Sequence, residues 1–409
     1  MMMPRFHQAA VVLAVVLLVS TATTGCFDRI EIDELAFVTS LAIDGPKPQG
    51  EQGQKSPAVE TDVGNTSLTG EDPRIIMTFE TPRPDLVGGK RAGIGPGGAP
   101  EKRSVWILQG SGTSMLETLT GASSVSNRVL FMRFATAIFI GEELAREGIL
   151  PILQFFQRTL LAREAVDVFV VKGRAEEVYS VIPPFTDTLA RHMEEAVSRK
   201  IRSGAEFRTN LLETAIAFNS NKGDLLLAMA QVMEGGLNLN GAAVLKDGRL
   251  VGFLTPEETK GVNWALGQVR AGTLVVPPPS GQQRPTVIDI VISSSKIIAS
   301  VQMGRPRFTM DVKVRGTVGE LPNNGSITSE VIEDLTKRAS EQVTQQMERA
   351  LQKLQTEFKS DALGLGAILR QRQPGFWNQV KGEWNEVYVK DAEFKIVVNI
   401  ELTTAGLLR

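Results

Sequence analysis

The sequence predicts an α+β protein of two or three mixed α/β domains, the C-terminal one a mostly antiparallel sheet covered by a long helix. Three observations carry this. Strand-like and helix-like patterns alternate from residue 36 to 182, an Asp247-Gly248 turn joins two alternating runs, and an amphipathic helical pattern from Val331 to Phe358 stands between strands. With 409 residues, 42% of them hydrophobic and 22% charged, the chain has apolar mass for two or three cores at roughly 100 to 200 residues each.

The first segment is a targeting signal. Arg5 precedes an apolar run, Ala9 to Val19, which has the length of a signal-peptide core and is too short to cross roughly 30 Å of hydrocarbon. Small polar residues then lead to Cys26, the one cysteine in the sequence. In a bacterial lipoprotein that thiol takes a diacylglycerol, the preceding bond is cut, and the new amino group is often acylated. Residues 1–25 are thus expected to be removed and Cys26 to carry S-diacylglycerol and N-acyl groups, two or three chains holding a membrane far better than one. Thr23 departs from the aliphatic residue usual in such signals, and a plain signal peptide or an uncleaved anchor is the alternative.

Residues 26–200 are expected to form an N-terminal α/β domain. A helical turn at Ile30, Ile32 and Leu35 leads into a buried strand, Ala36 to Ile43, that ends at Asp44-Gly45. Gly-, Pro- and Ser-rich loops, 45–73 and 82–104, flank a strand at Arg74 to Glu80. Ser111 or Thr113 caps a helix with Glu117 in its first turn. A strand at Ala135 to Ile140, a helix at Glu142 to Leu161 interrupted near Gly148 and Pro151, and a strand at Val166 to Val171 follow. Residues 201–240 read as a connecting helical segment, with helices expected at Phe185 to Ile201 and Asp224 to Gln231.

Residues 241–409 form the C-terminal domain. A hairpin pairs Gly241 to Val244 with Arg249 to Leu254 around Lys246-Asp247-Gly248. Strands at Val287 to Ile292, Lys296 to Val301 and Phe308 to Val318 precede the long helix, whose Leu335, Ala339, Val343, Met347 and Ala350 share one face. A last strand, Glu393 to Leu402, points Phe394, Ile396, Val398, Ile400 and Leu402 inward.

No residue pattern marks an enzyme. Lys+Arg total 44 against Asp+Glu 46, which gives no reason to expect nucleic acid. There are two histidines, and His7 lies in the signal segment, so a histidine-based metal centre or triad would rest on His192 alone, a residue expected on a solvated helix face. The G-x-G-x-x-G of Gly93 to Gly98 does not open a helix, as a dinucleotide loop must. Gly110-Ser111-Gly112 reads as a capped turn better than as an anion site. The acid pairs Glu142-Glu143, Glu176-Glu177, Glu194-Glu195 and Glu257-Glu258 stand in polar, surface-like contexts that any chain can offer. Trp377 and Trp384 fall on one side of a helix expected to pack on the last sheet. No cofactor or metal site is expected, and the sequence singles out no ligand-binding residue.

Several segments resemble the Ger(x)C family of spore germination lipoproteins. They are Cys26-Phe27-Asp28-Arg29-Ile30-Glu31-Ile32 with Glu34-Leu35-Ala36, then Ile140-Gly141-Glu142-Glu143-Leu144-Ala145-Arg146-Glu147-Gly148. Gly241-Ala242-Ala243-Val244, Leu250-Val251-Gly252, Glu258-Thr259-Lys260-Gly261 and Trp264 follow, and last Asp361-Ala362-Leu363-Gly364-Leu365-Gly366 with Trp377 and Trp384. Met132-Arg133 stand where many members have Gly-His, so that pair's role is not carried over. The resemblance implies the C subunit of a GerA-type nutrient germinant receptor, not an enzyme. It would be lipid-anchored at Cys26 on the outer face of the spore inner membrane, beside a larger and a polytopic membrane subunit, as a scaffold required for germination. An exported solute-binding lipoprotein is the alternative, and a cell-wall hydrolase using an acidic pair comes third.

Overall fold

In a computed structural model of the protein, the described residues are 31–47, 58–65, 71–84, 104–159, 161–181, 186–198, 204–234, 236–269, 272–278, 284–320 and 328–404. The signal segment, Cys26 and Gly93 to Gly98 lie outside them.

A 3-10 turn, Ile32–Glu34, leads into β1 (Leu35–Phe37) and β2 (Ser40–Asp44). Then come β3 (Thr61–Asn65), β4 (Ile75–Pro82), β5 (Val105–Gly112), α1 (Met115–Val125), β6 (Val129–Phe131) and β7 (Ala137–Gly141). Helices α2 (Glu142–Glu147) and α3 (Leu150–Thr159) break at Gly148, as expected, before β8 (Asp167–Val171), α4 (Leu189–Ser198) and α5 (Leu211–Ser220). Strands β9 (Leu225–Met233), β10 (Gly236–Asn238), β11 (Ala242–Lys246) and β12 (Arg249–Leu254) precede α6 (Pro256–Leu266). The rest is β13 (Gly272–Val276), β14 (Thr286–Gln302), β15 (Arg305–Glu320), α7 (Ser329–Gln352), α8 (Leu365–Arg372), α9 (Pro374–Val380), α10 (Trp384–Asp391) and β16 (Glu393–Thr404).

The fold is α+β, built on two main sheets. One runs β12-β11-β9-β8-β7-β2-β4-β5-β3, with β10 added to β9. Its centre, β9-β8-β7-β2, is parallel and its flanks are antiparallel except for β5-β3. The other sheet, β13-β14-β15-β16, is antiparallel but for the β15-β16 pair. Helix α7 buries Leu335 and lays Ala339, Val343, Met347 and Ala350 into the core with that sheet, as their spacing predicts.

Strand β11 joins the two parts. Successive side chains of a strand point to opposite faces. Ala243 and Leu245 enter the N-terminal core with Leu250, whereas Ala242 and Val244 enter the C-terminal core with Leu254. Residues 241–254, read from sequence as the opening of the C-terminal domain, hydrogen-bond into the first sheet through β9. The hairpin turn is as expected, with Asp247 at φ 50° and Gly248 at φ 77°, the left-handed pair that a two-residue turn between twisted strands requires.

Several element assignments are corrected. Asp224 to Gln231 is not a helix but β9, buried from Leu225 to Ala230 between a parallel and an antiparallel neighbour. A strand covered on both faces is apolar without alternation, and its Leu, Ala and Met also favour helix. The strands expected at Val287 to Ile292 and Lys296 to Val301 are one, β14. The three serines between them continue the ladder, and Ser293 donates to the Val269 carbonyl at 2.5 Å. The helix cap is Ser114, whose Oγ accepts from the Glu117 amide, while Thr113 donates its amide and hydroxyl to the Glu117 carboxylate. Gly110 to Gly112 thus end strand β5 and do not cap a helix. Trp377 and Trp384 belong to separate helices, α9 and α10. Strand β3, inside an expected loop, is a polar edge strand with no sequence alternation to mark it.

Candidate functional site

Of the blocks that carried the resemblance, those from Gly241 to Trp264 and from Asp361 to Gly366 meet at the junction between the two sheets. Helix α6 begins with a capping box, Thr255 accepting from the Glu258 amide and Glu258 from the Thr255 amide, with Pro256 in the first turn. Gly261 then lets α6 touch α7, because a Cβ there would stand 2.1 Å from the Gln346 carbonyl oxygen. Trp264 is fully buried and donates its indole N–H to Gln346 Oε1 at 2.9 Å, and Gln346 Nε2 donates onward to Glu257 at 2.7 Å. Lys353 pairs with Glu258 at 2.9 Å, and Asn263 donates to the carbonyls of Gly204 and Glu206. Lys260 is buried with its ammonium on the Thr273 carbonyl, and burial lowers its pKa.

A second knot lies at Asp361. Its carboxylate accepts from the amides of Leu365 (2.8 Å) and Gly366 (2.7 Å) and from the Trp384 indole (2.9 Å). Its own amide donates to Asp224, whose other oxygen accepts from the Asp247 amide, so the knot reaches the β11-β12 turn. Ser360 donates to the Leu245 carbonyl of β11. Burial pushes the Asp361 pKa up to about 7 against these donors. The Trp377 and Trp384 rings lie 5.5 Å apart, and Trp384 meets Phe308 of β15 edge-on, so packing on the last sheet holds although the shared helix does not.

Among the described residues, the N-terminal sheet buries further acids, Asp44 and Glu80 most deeply. Asp44 accepts from the amides of Ala175 (2.7 Å) and Glu176 (2.9 Å), and burial raises its pKa to about 6. Glu80 accepts from Thr39, Ser40 and the amides of Leu189 and Ala190, and burial raises its pKa too.

These acids spend their lone pairs on backbone, hydroxyl and indole donors, an arrangement that fixes loops. Of the expected acid pairs, Glu142 holds Arg146 and the Gly173 amide, and Glu194-Glu195 lies exposed. Glu176 corrects the surface reading: it is buried, paired with Arg174 at 3.0 Å and contacted by Gln109. His192 sits half-exposed on α4. Among the described residues no three His, Cys, Asp or Glu side chains group as metal ligands. Two shallow grooves of about 400 Å3 lie on β14 to β16 and between α7 and Val398, away from the buried acids. No described helix is long and apolar enough to cross a membrane. Sequence reasoning missed Asp44, Glu80, Asp224 and Asp361. An acid flanked by apolar strand residues, as in Phe79-Glu80, or by glycines, as in Asp361 to Gly366, was the available signal.

Fold and junction together define an α+β protein whose polar chemistry ties two sheets into one body. The profile described as "Spore germination protein N-terminal domain" matches residues 28–232, and "Spore germination B3/ GerAC like, C-terminal" matches 240–406. The chain belongs to this GerAC-like spore germination family. It is 24% identical to spore germination protein B3 of Bacillus subtilis over 94% of this chain and 95% of that one. It is 20% identical to spore germination protein KC of the same organism, over 97% and 96%. The crystal structure of the GerBC protein matches with a TM-score of 0.55 at 19% identity, over 80% of this chain and 93% of that one, and shares the fold.

Proposed function

We propose that the protein is the membrane-tethered C subunit of a nutrient germinant receptor, acting in spore germination as a non-catalytic scaffold. The single observation that carries this is the match of both family domains, in order, across nearly the whole chain. The use of the buried acids as loop fasteners supports a role without turnover. In this reading Cys26 carries S-diacylglycerol and N-acyl groups and holds the chain on the outer face of the spore inner membrane. There it docks the larger and the polytopic membrane subunits, and the tether raises their effective concentration. Residues 26–240 and 241–409 are two modules of that scaffold, sharing the wall formed by β9 and β11.

The test is intact mass, membrane fractionation and nutrient-triggered germination for spores carrying the wild type or Cys26→Ala. The expected result is an acylated, membrane-bound wild type and a released variant whose spores respond poorly. An unmodified wild type with unchanged germination in the variant would overturn the proposal.

A further inference from the structure

Strands β1 and β6 form a two-stranded parallel ribbon, pairing Leu35 with Val129 and Phe37 with Phe131. Between these residues, Ala36 and Leu130 turn into the N-terminal core. The alternation leaves Leu35, Phe37, Val129 and Phe131 on the opposite face, where polar residues would be expected on a solvated sheet. Phe134 adds to it: its ring lies 5.0 Å from Phe37 and 5.9 Å from Phe131, yet it stays 51% exposed. Ile32, one turn ahead of β1, is 75% exposed. Such a contiguous apolar face marks a contact surface. Arg128 and Arg133 border it, and among the described residues neither makes an ion pair.

What covers this face follows from the chain entering it. Ile32 is six residues after Cys26, and an extended chain spans at most about 3.6 Å per residue, so the turn that Ile32 opens lies within about 22 Å of the lipid-bearing residue. We infer that the β1-β6 face, with Phe134 and Ile32, seats in the headgroup and acyl boundary of the bilayer that holds the anchor, fixing how the protein stands on the membrane. This rests on acylation at Cys26. Arg128 and Arg133 extend their aliphatic stems along the face and place their guanidinium groups among lipid phosphates. Glu31, Asp33 and Glu34 on the adjacent turn offset that attraction, so apolar insertion drives the seating and salt weakens it little.

The acylated thiol is blocked, so in the full chain a cysteine introduced at Phe134 or at fully exposed Met303, at the tip of the β14-β15 hairpin, is the only free thiol. Each variant is purified in acylated form, as intact mass shows, labelled with an environment-sensitive fluorophore and placed in phosphatidylglycerol/phosphatidylethanolamine vesicles containing a shallow nitroxide lipid. At position 134 the label should emit to the blue and be quenched several-fold more than at 303, in low or high salt. Equal quenching at the two positions would overturn the inference. So would a label at 134 that becomes shielded only when a membrane-protein subunit is added, since the face would then belong to a protein partner. If intact mass shows no acylation, the tether reading fails separately. Flotation of the unacylated chain with vesicles then decides the face: flotation lost on Phe134→Asp supports it, and no flotation by the parent chain contradicts it.

Discussion

The two sheets bury themselves differently. In the ten-stranded sheet the central strands β2, β7 and β8 are buried on both faces, so their sequences are nearly unbroken apolar runs. In the four-stranded sheet only one face meets helices, and β15 alternates: Phe308, Met310, Val312 and Val314 are buried while Lys313 and Arg315 face water. The difference shows where each part is vulnerable. The first sheet depends on neighbours along its edges, and the second depends on α7 and on the backbone contact that Gly261 allows.

The largest effect should come from dividing them. A chain ending at residue 240 keeps β9 but loses its β11 partner, and with it Ala243, Leu245 and Leu250 from the N-terminal core. It is expected to aggregate or lack a cooperative melt, by gel filtration and circular dichroism. A well-behaved monomer would show that the first sheet closes without the junction. Next, Gly261→Val drives a side chain into the Gln346 carbonyl and should destabilise by about 3 kcal/mol in urea unfolding, with Gly261→Ala intermediate. A cost near zero would mean that α6 and α7 can move apart freely.

Asp361→Ala leaves three buried N–H donors unpaired and should cost about 2 kcal/mol, measured the same way. Asp361 and Asp44 also set a pH dependence. Their folded pKa values, about 7 and about 6, lie above the ordinary 3.8, so between pH 4 and 7 the folded state holds protons that the unfolded chain has released. The contribution of these two groups is therefore most favourable below pH 4 and is lost as pH rises through 6 and 7. Urea midpoints should fall from pH 5 to 7.5, and Asp361→Asn should flatten the upper part of that fall. A midpoint that rises with pH in the wild type and is unaffected by Asn would contradict the assignment. The smallest change belongs to the exposed Lys390 and Glu386 pair on α10, whose removal should shift stability by about 0.3 to 0.5 kcal/mol.

The legibility of the sequence follows the same division. The C-terminal half announced itself through the period of α7 and the alternation of β16, signals that arise when one face is wet, and the hairpin announced itself through the left-handed Asp247-Gly248 turn. Strand β9 did not, because double burial erases its period and its Leu, Ala and Met residues suit helix equally well. The polar run Ser293 to Ser295 separated two expected strands because the pairing that makes them one lies with β15 and not in the local sequence. The resemblance blocks located the junction without explaining it. That Gly261 is a contact point and Asp361 a three-donor clamp depends on Gln346 and Trp384, residues that only the fold brings near.

The most direct test of a shared wall at β11 is equilibrium unfolding of the unacylated Cys26→Ala chain in urea, followed by two probes. Three of the four tryptophans, Trp264, Trp377 and Trp384, report the C-terminal half, and far-ultraviolet circular dichroism reports both sheets. One coincident transition in both signals is predicted. Two separated transitions, with tryptophan fluorescence changing while half of the ellipticity persists, would contradict a single body joined through β11.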